Sequence, residues 1–115
     1  EPSLRKSAKI ALSRQGYQVI EATDCRDALK AWKQHHQNIR LLLTDLIMPG
    51  EMTGKELARQ LLKSNPKLKV VYVSGYSAEI ANRDFPLEEG VNFLSKPFPA
   101  AKLAKIVREK LDEKT

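Results

Sequence analysis

The run Leu41-Leu42-Leu43-Thr44-Asp45-Leu46-Ile47-Met48-Pro49-Gly50 decides the fold. An apolar stretch ends in a carboxylate just before a sharp turn, which reads as a buried strand with an acid at its carboxyl end. Open α/β sheets place their chemistry at that edge. Two further stretches repeat the plan: Val70-Val71-Tyr72-Val73 runs into Ser74 and Gly75, and Val91 to Leu94 runs into Ser95, Lys96 and Pro97. Three strands thus end in an acid, a hydroxyl and an amine, a set that suits a phosphoryl group. Asp45 is therefore a candidate nucleophile.

The segments between these strands carry helical spacing. Leu4, Ala8, Ala11 and Leu12 predict a first helix that Gly16 closes as a C-terminal cap. Tyr17, Val19 and Ala22 alternate with Gln18, Ile20 and Glu21, which predicts a short strand. Asp24 caps a second helix with Ala28, Leu29 and Trp32 inward, fading near His36 and Asn38. Ile39 to Thr44 is the next strand. Gly54 to Asn65 is helical, with Leu57, Ala58, Leu61 and Leu62 on one face and Pro66 ending it. Strands follow over Val70 to Ser74 and Val91 to Ser95, with a short helix over Ser77 to Arg83 between them. Pro99 suits the first turn of a last helix whose core face carries Leu103, Val107 and Leu111. Alternation of this kind specifies a parallel sheet covered by helices on both faces. Such a domain normally opens with a strand, whereas this chain opens with a helix.

Composition bounds the reading. At 115 residues there is room for one core and no second domain, and 42% apolar with 30% charged residues is ordinary for a globular protein. No apolar run approaches membrane-spanning length and no segment resembles a signal peptide, so a cytoplasmic location is expected. Cys25 stands alone, which excludes a disulfide framework and a thiolate metal cluster; a small residue near a helix start is its plain reading. The net charge of +6 is spread from Arg5 to Lys114. A dispersed, solvated surface accounts for it better than a nucleic-acid interface.

The chain resembles the receiver domains of two-component signalling, the phosphoacceptor modules of response regulators and hybrid sensor kinases. The residues that carry the resemblance are Asp45 to Gly50 with Thr53-Gly54 following, Val73-Ser74-Gly75, and Phe93-Leu94-Ser95-Lys96-Pro97-Phe98. Gly16-Tyr17, Glu21-Ala22 and Ala28-Leu29 support it. The resemblance implies a flavodoxin-like α/β fold with a doubly wound parallel sheet in the order 2-1-3-4-5, for which a receiver is one of the standard examples. It implies Asp45 as phosphoacceptor, Ser74 as the hydroxyl that meets the phosphoryl group, Lys96 as the amine and Phe93 as the aromatic switch. It also implies Mg²⁺ as cofactor, held by Asp45, by the main-chain carbonyl of Ile47 and by an acidic pair at the end of the first strand. Glu1-Pro2-Ser3-Leu4-Arg5 looks like the segment just after that pair. The expectation is a single receiver domain over residues 1–115 whose first strand and acids precede Glu1 in the natural protein.

The chemistry expected follows from these parts. Phosphoryl transfer needs an in-line nucleophile and positive charge around the equatorial oxygens. Asp45 would attack a phosphohistidine of a histidine kinase or histidine phosphotransfer domain, so the domain assists its own phosphorylation without being an enzyme in isolation. Lys96 would offset the arriving charge, and Lys96-Pro97 is a cis bond by resemblance. Ser74 would draw inward and make space for Phe93, changing the surface around residues 77–83, the last strand and the last helix, through which a homodimer is also allowed. Ile47 and Tyr76 border the phosphoryl group in the family, and neither suits the orientation of an attacking water, which predicts slow self-dephosphorylation. Ile10 lies opposite the core face of the first helix at ~100° per residue and is a candidate docking anchor.

Competing readings fail on particular residues. Gly50 to Glu56 imitates a P-loop, but it is one residue short and Glu56 stands where Ser or Thr must bind Mg²⁺. Haloacid dehalogenase phosphatases place a second aspartate two residues after the first, where this chain has Ile47. The alternative that survives is a receiver-like binding or dimerisation module that is never phosphorylated.

Overall fold

The computed structural model describes residues 2–45, 53–74, 91–95 and 98–113. Its first helix, α1 (Pro2–Arg14), ends in a Schellman turn. Gly16 takes φ 95° and its N–H donates to the Ser13 carbonyl at 3.0 Å, while the Tyr17 N–H reaches back to the Leu12 carbonyl at 3.2 Å. Gly16 is thus the predicted cap, because glycine enters the left-handed region with no Cβ penalty. The turn also brings Tyr17 into the apolar cluster that buries Leu12.

The remaining elements are α2 (Cys25–His35), β1 (Leu41–Asp45), α3 (Gly54–Ser64), β2 (Lys69–Ser74), β3 (Phe93–Ser95) and α4 (Ala100–Asp112). Asp24 caps α2 as predicted, its carboxylate accepting from the Asp27 N–H at 2.8 Å. The Asp27 carboxylate answers by accepting from the Thr23 N–H at 3.1 Å. α3 stops at Ser64 because Asn65 precedes Pro66 and is held extended, at φ −142° and ψ 96°.

The strands form a parallel sheet in the order β1-β2-β3. β1 pairs with β2 from Leu41 opposite Lys69 to Asp45 opposite Val73, and β2 pairs with β3 from Tyr72 opposite Phe93 to Ser74 opposite Ser95. Period-two alternation then sorts the side chains onto two cores. Val71, Val73 and Leu94 pack with Leu12, Leu103, Ile106 and Val107, so α1 and α4 cover one face. Leu42 and Val70 meet Trp32, Leu57, Leu61 and Leu68, so α2 and α3 cover the other. Each fully buried leucine or isoleucine contributes about 1.5–3 kcal/mol.

The structure departs from the sequence reading in two places. Tyr17 to Ala22 is not a strand, although Tyr17, Val19 and Ala22 are the more buried residues and Gln18, Ile20 and Glu21 the exposed ones. The inward and outward side chains are sorted nearly as expected, but no strand among the described residues pairs with this segment. Pairing requires a partner whose N–H and C=O groups are in reach. The last strand is also shorter than predicted. It begins at Phe93, while Val91 sits in a turn and is 47% exposed, and the Asn92 carbonyl accepts from the Tyr72 N–H at 2.9 Å. Among the described residues the sheet has three parallel strands, against the five of the expected order. The helix predicted over Ser77 to Arg83 lies outside the described residues.

Candidate functional site

Asp45 is the last residue of β1 and is half-buried. Parallel pairing puts its neighbours in place: Val73 lies opposite Asp45, and Ser74 follows Val73 and lies opposite Ser95. The acid, the hydroxyl residue and the residue before Lys96 therefore share the carboxyl edge of three adjacent strands. Neighbouring strands lie about 4.8 Å apart, so this edge spans the width of a phosphoryl group and its ligands.

The end of β1 is held from below by α3. Thr53 caps that helix, its hydroxyl accepting from the Glu56 N–H at 3.2 Å. The next residue, Gly54, is packed so closely that a Cβ there would run into the Asp45 carbonyl oxygen and lie 2.9 Å from Thr44 Oγ1 and 3.0 Å from the Asp45 carbonyl carbon. Thr44 is itself 5% exposed and donates from Oγ1 to that same carbonyl at 3.0 Å. The positive end of the α3 dipole thus abuts the strand end that carries the acid. Sequence reasoning used Gly54 as a helix start and as part of the motif that carries the resemblance. The Thr-Gly pair eight and nine residues after Asp45 was in view, but a close approach of backbone to backbone is invisible until the helix docks.

The other predicted residues are distributed unevenly. Phe93 is 1% exposed, in a cluster with Ala58 and Tyr72. Ile10 is 55% exposed, on the side of α1 away from Ala8 and Leu12. Ile47, Tyr76 and Lys96, the Lys96-Pro97 bond and the side chain of Ser74 lie outside the described residues. Among the described residues no group of three or more His, Cys, Asp or Glu is arranged to hold a metal. A single hard carboxylate from Asp45 fits Mg²⁺, which takes one or two carboxylates and keeps several waters.

Titration in this half of the molecule is shaped by burial. The Cys25 thiol, at the start of α2, is pushed up first by burial and then by the carboxylates of Asp24 and Glu56. Burial also pushes the Tyr72 hydroxyl up, against a smaller lowering by Arg59. Both groups therefore hold their protons more tightly than in the unfolded chain.

The layered parallel sheet with helices on both faces is an α/β receiver fold, and the chain matches the model of the response regulator receiver domain over residues 1–108. The chain belongs to that family, whose members act in phosphorelay signal transduction. It is 34% identical over 113 residues to the sensor kinase CckA of Brucella abortus, covering 98% of this chain and 12% of the kinase. It is 35% identical over 95 residues to the response regulator receiver protein CpdR of the same organism, covering 83% of this chain and 77% of CpdR. The receiver domain of NtrX from Brucella abortus superposes with a TM-score of 0.81 at 26% identity, covering 99% of this chain and 94% of that one. No helix among the described residues is long and apolar enough to cross a membrane.

Proposed function

We propose that Asp45 is the phosphoacceptor of a phosphorelay and takes its phosphoryl group from a phosphohistidine on a histidine kinase or histidine phosphotransfer domain. The observation that carries this reading is the register: Asp45, Ser74 and Ser95 end three adjacent parallel strands at one edge. An ionised carboxylate attacks phosphorus without a general base, so this edge needs only orientation and positive charge. The tight Gly54 junction supports orientation, because it fixes the main chain at Asp45. Lys96 supplies the positive charge, and Ser74 donates a hydrogen bond to the phosphoryl group. Mg²⁺, if bound, would be held in part by the Asp45 carboxylate and the Ile47 carbonyl, and would supply positive charge for the phosphoryl group.

In the same reading Phe93 responds to the phosphoryl group, Ile47 and Tyr76 slow its hydrolysis, and Ile10 contacts the phosphodonor. The near-complete match to a short segment of a sensor kinase supports a hybrid kinase as parent. The test is incubation of the protein as naturally encoded with acetyl phosphate and Mg²⁺, followed by intact mass. One added phosphoryl group is expected, and Asp45→Asn removes it. No addition, or addition that survives Asp45→Asn, refutes the reading and leaves the unphosphorylated binding module.

A further inference from the structure

Phe93 sits in a seat whose shape depends on two residues with no assigned role. Ala58, on α3, is 1% exposed, and Tyr72, directly opposite Phe93 in the β2–β3 register, is 8% exposed. Among the described residues the three form one buried cluster, edged by Leu42 and Val70. The neighbours of Ala58 on the same helix face are large, Leu57 at 1% and Leu61 at 3% exposed, yet they pack into a different cluster with Trp32. The single methyl of Ala58 is therefore what α3 contributes to the cluster that holds Phe93. Interiors are packed close to crystal density, so the ring fits there only while residue 58 is small. Tyr72 supplies the side wall, and its rigid ring cannot fold away as a methionine would.

We propose that Ala58 and Tyr72 are positioning residues that seat Phe93 and set how far its ring moves when Asp45 is phosphorylated. This rests on the phosphoacceptor reading for its trigger, whereas the seat itself rests on packing alone. A larger residue at 58 takes the space of the ring and expels it toward solvent, so that the Phe93 surface no longer depends on the state of Asp45. Removing volume from residue 93 restores the fit: Ala58→Leu adds three carbons and Phe93→Val removes four, so the two changes offset each other.

The experiment uses the intact receiver carrying 4-fluorophenylalanine, with the Phe93 signal assigned by its loss in Phe93→Leu. A soluble paramagnetic chelate reports the exposure of each ring. In the parent the Phe93 signal is protected, and acetyl phosphate with Mg²⁺ shifts it. In Ala58→Leu the signal broadens at least several-fold more and no longer shifts, although intact mass shows Asp45 labelled to the parent extent. A folded Ala58→Leu with Phe93 still protected overturns the proposal. If Ala58→Leu does not fold, Ala58→Leu/Phe93→Val is expected to recover folding, and its failure to do so overturns the proposal as well. The two readings separate cleanly. A parent that takes no phosphoryl group refutes the phosphoacceptor and with it the trigger, whereas a labelled Asp45 with an unmoved Phe93 leaves the phosphoacceptor standing and refutes both the response of Phe93 and the positioning role.

Discussion

Gly54→Ala tests whether the α3 junction orients Asp45. The added Cβ meets backbone, the Asp45 carbonyl group, and not the end of a flexible side chain that could swing aside. Either α3 or the end of β1 must shift. Overpacking of this kind costs ~1–3 kcal/mol. The better helix propensity of alanine returns at most ~1 kcal/mol at this first helical position. Because the obstacle is main chain, the cost sits at the upper end, for a net loss of about 2 kcal/mol. At about 4 °C per kcal/mol for a domain of this size, Tm falls by about 8 °C. The shift is felt at the nucleophile, where a displacement of ~1 Å can cost as much as ~100-fold in rate. Labelling of Asp45 by acetyl phosphate, followed by intact mass well below Tm, should therefore slow by roughly tenfold or more. Gly16→Ala is the control. There φ is 95° with open space around the site, so alanine costs ~1–2 kcal/mol of backbone strain and leaves labelling unchanged. A Gly54→Ala protein with the parent Tm and the parent labelling rate would refute the argument.

Loss of the α2 cap in Asp24→Ala should lower stability by about 1 kcal/mol in urea titration, with Asp24→Asn close to the parent; equal losses in both would exclude capping as the cause. Cys25 and Tyr72 both have raised pKa values in the fold, so the folded state holds their protons more tightly than the unfolded chain. Their contribution is whole below the ordinary thiol value of 9.0 and is lost as pH rises through the raised folded values. Urea titrations stepped from neutral pH to above 10 should give a falling stability whose slope is shallower in Cys25→Ala, and identical slopes would contradict the buried thiol. Native Cys25 should also react with a thiol reagent at pH 8 far more slowly than the denatured chain. Ile106→Ala, at 2% exposure between α4 and the sheet, should cost about 2–5 kcal/mol without altering the rate of Asp45 labelling in the folded fraction.

Much of the fold was legible because local chemistry and tertiary packing agree. Gly16, Asp24 and Pro66 punctuate helices through backbone angles and hydrogen bonds that a few neighbouring residues settle among themselves. The periodicity of Leu57, Ala58 and Leu61 marks a face that any sheet would bury. The Tyr17 to Ala22 segment misled because its alternation gives which side chains turn inward, whereas a ladder depends on another strand being alongside. Val91 misled in a similar way: its β-branched side chain favours a strand, but β3 begins two residues later.

The candidate site divides along the same line. By itself the sequence determined the chemical identity of the groups, an aspartate, a serine and a lysine each placed at the end of an apolar run, since that pattern is local. Only the tertiary structure decided that Asp45 and Ser74 lie on adjacent strands, because a parallel register is set by contacts between segments far apart in the chain. It also decided that Gly54 must be glycine, because the carbonyl of Asp45 docks against it.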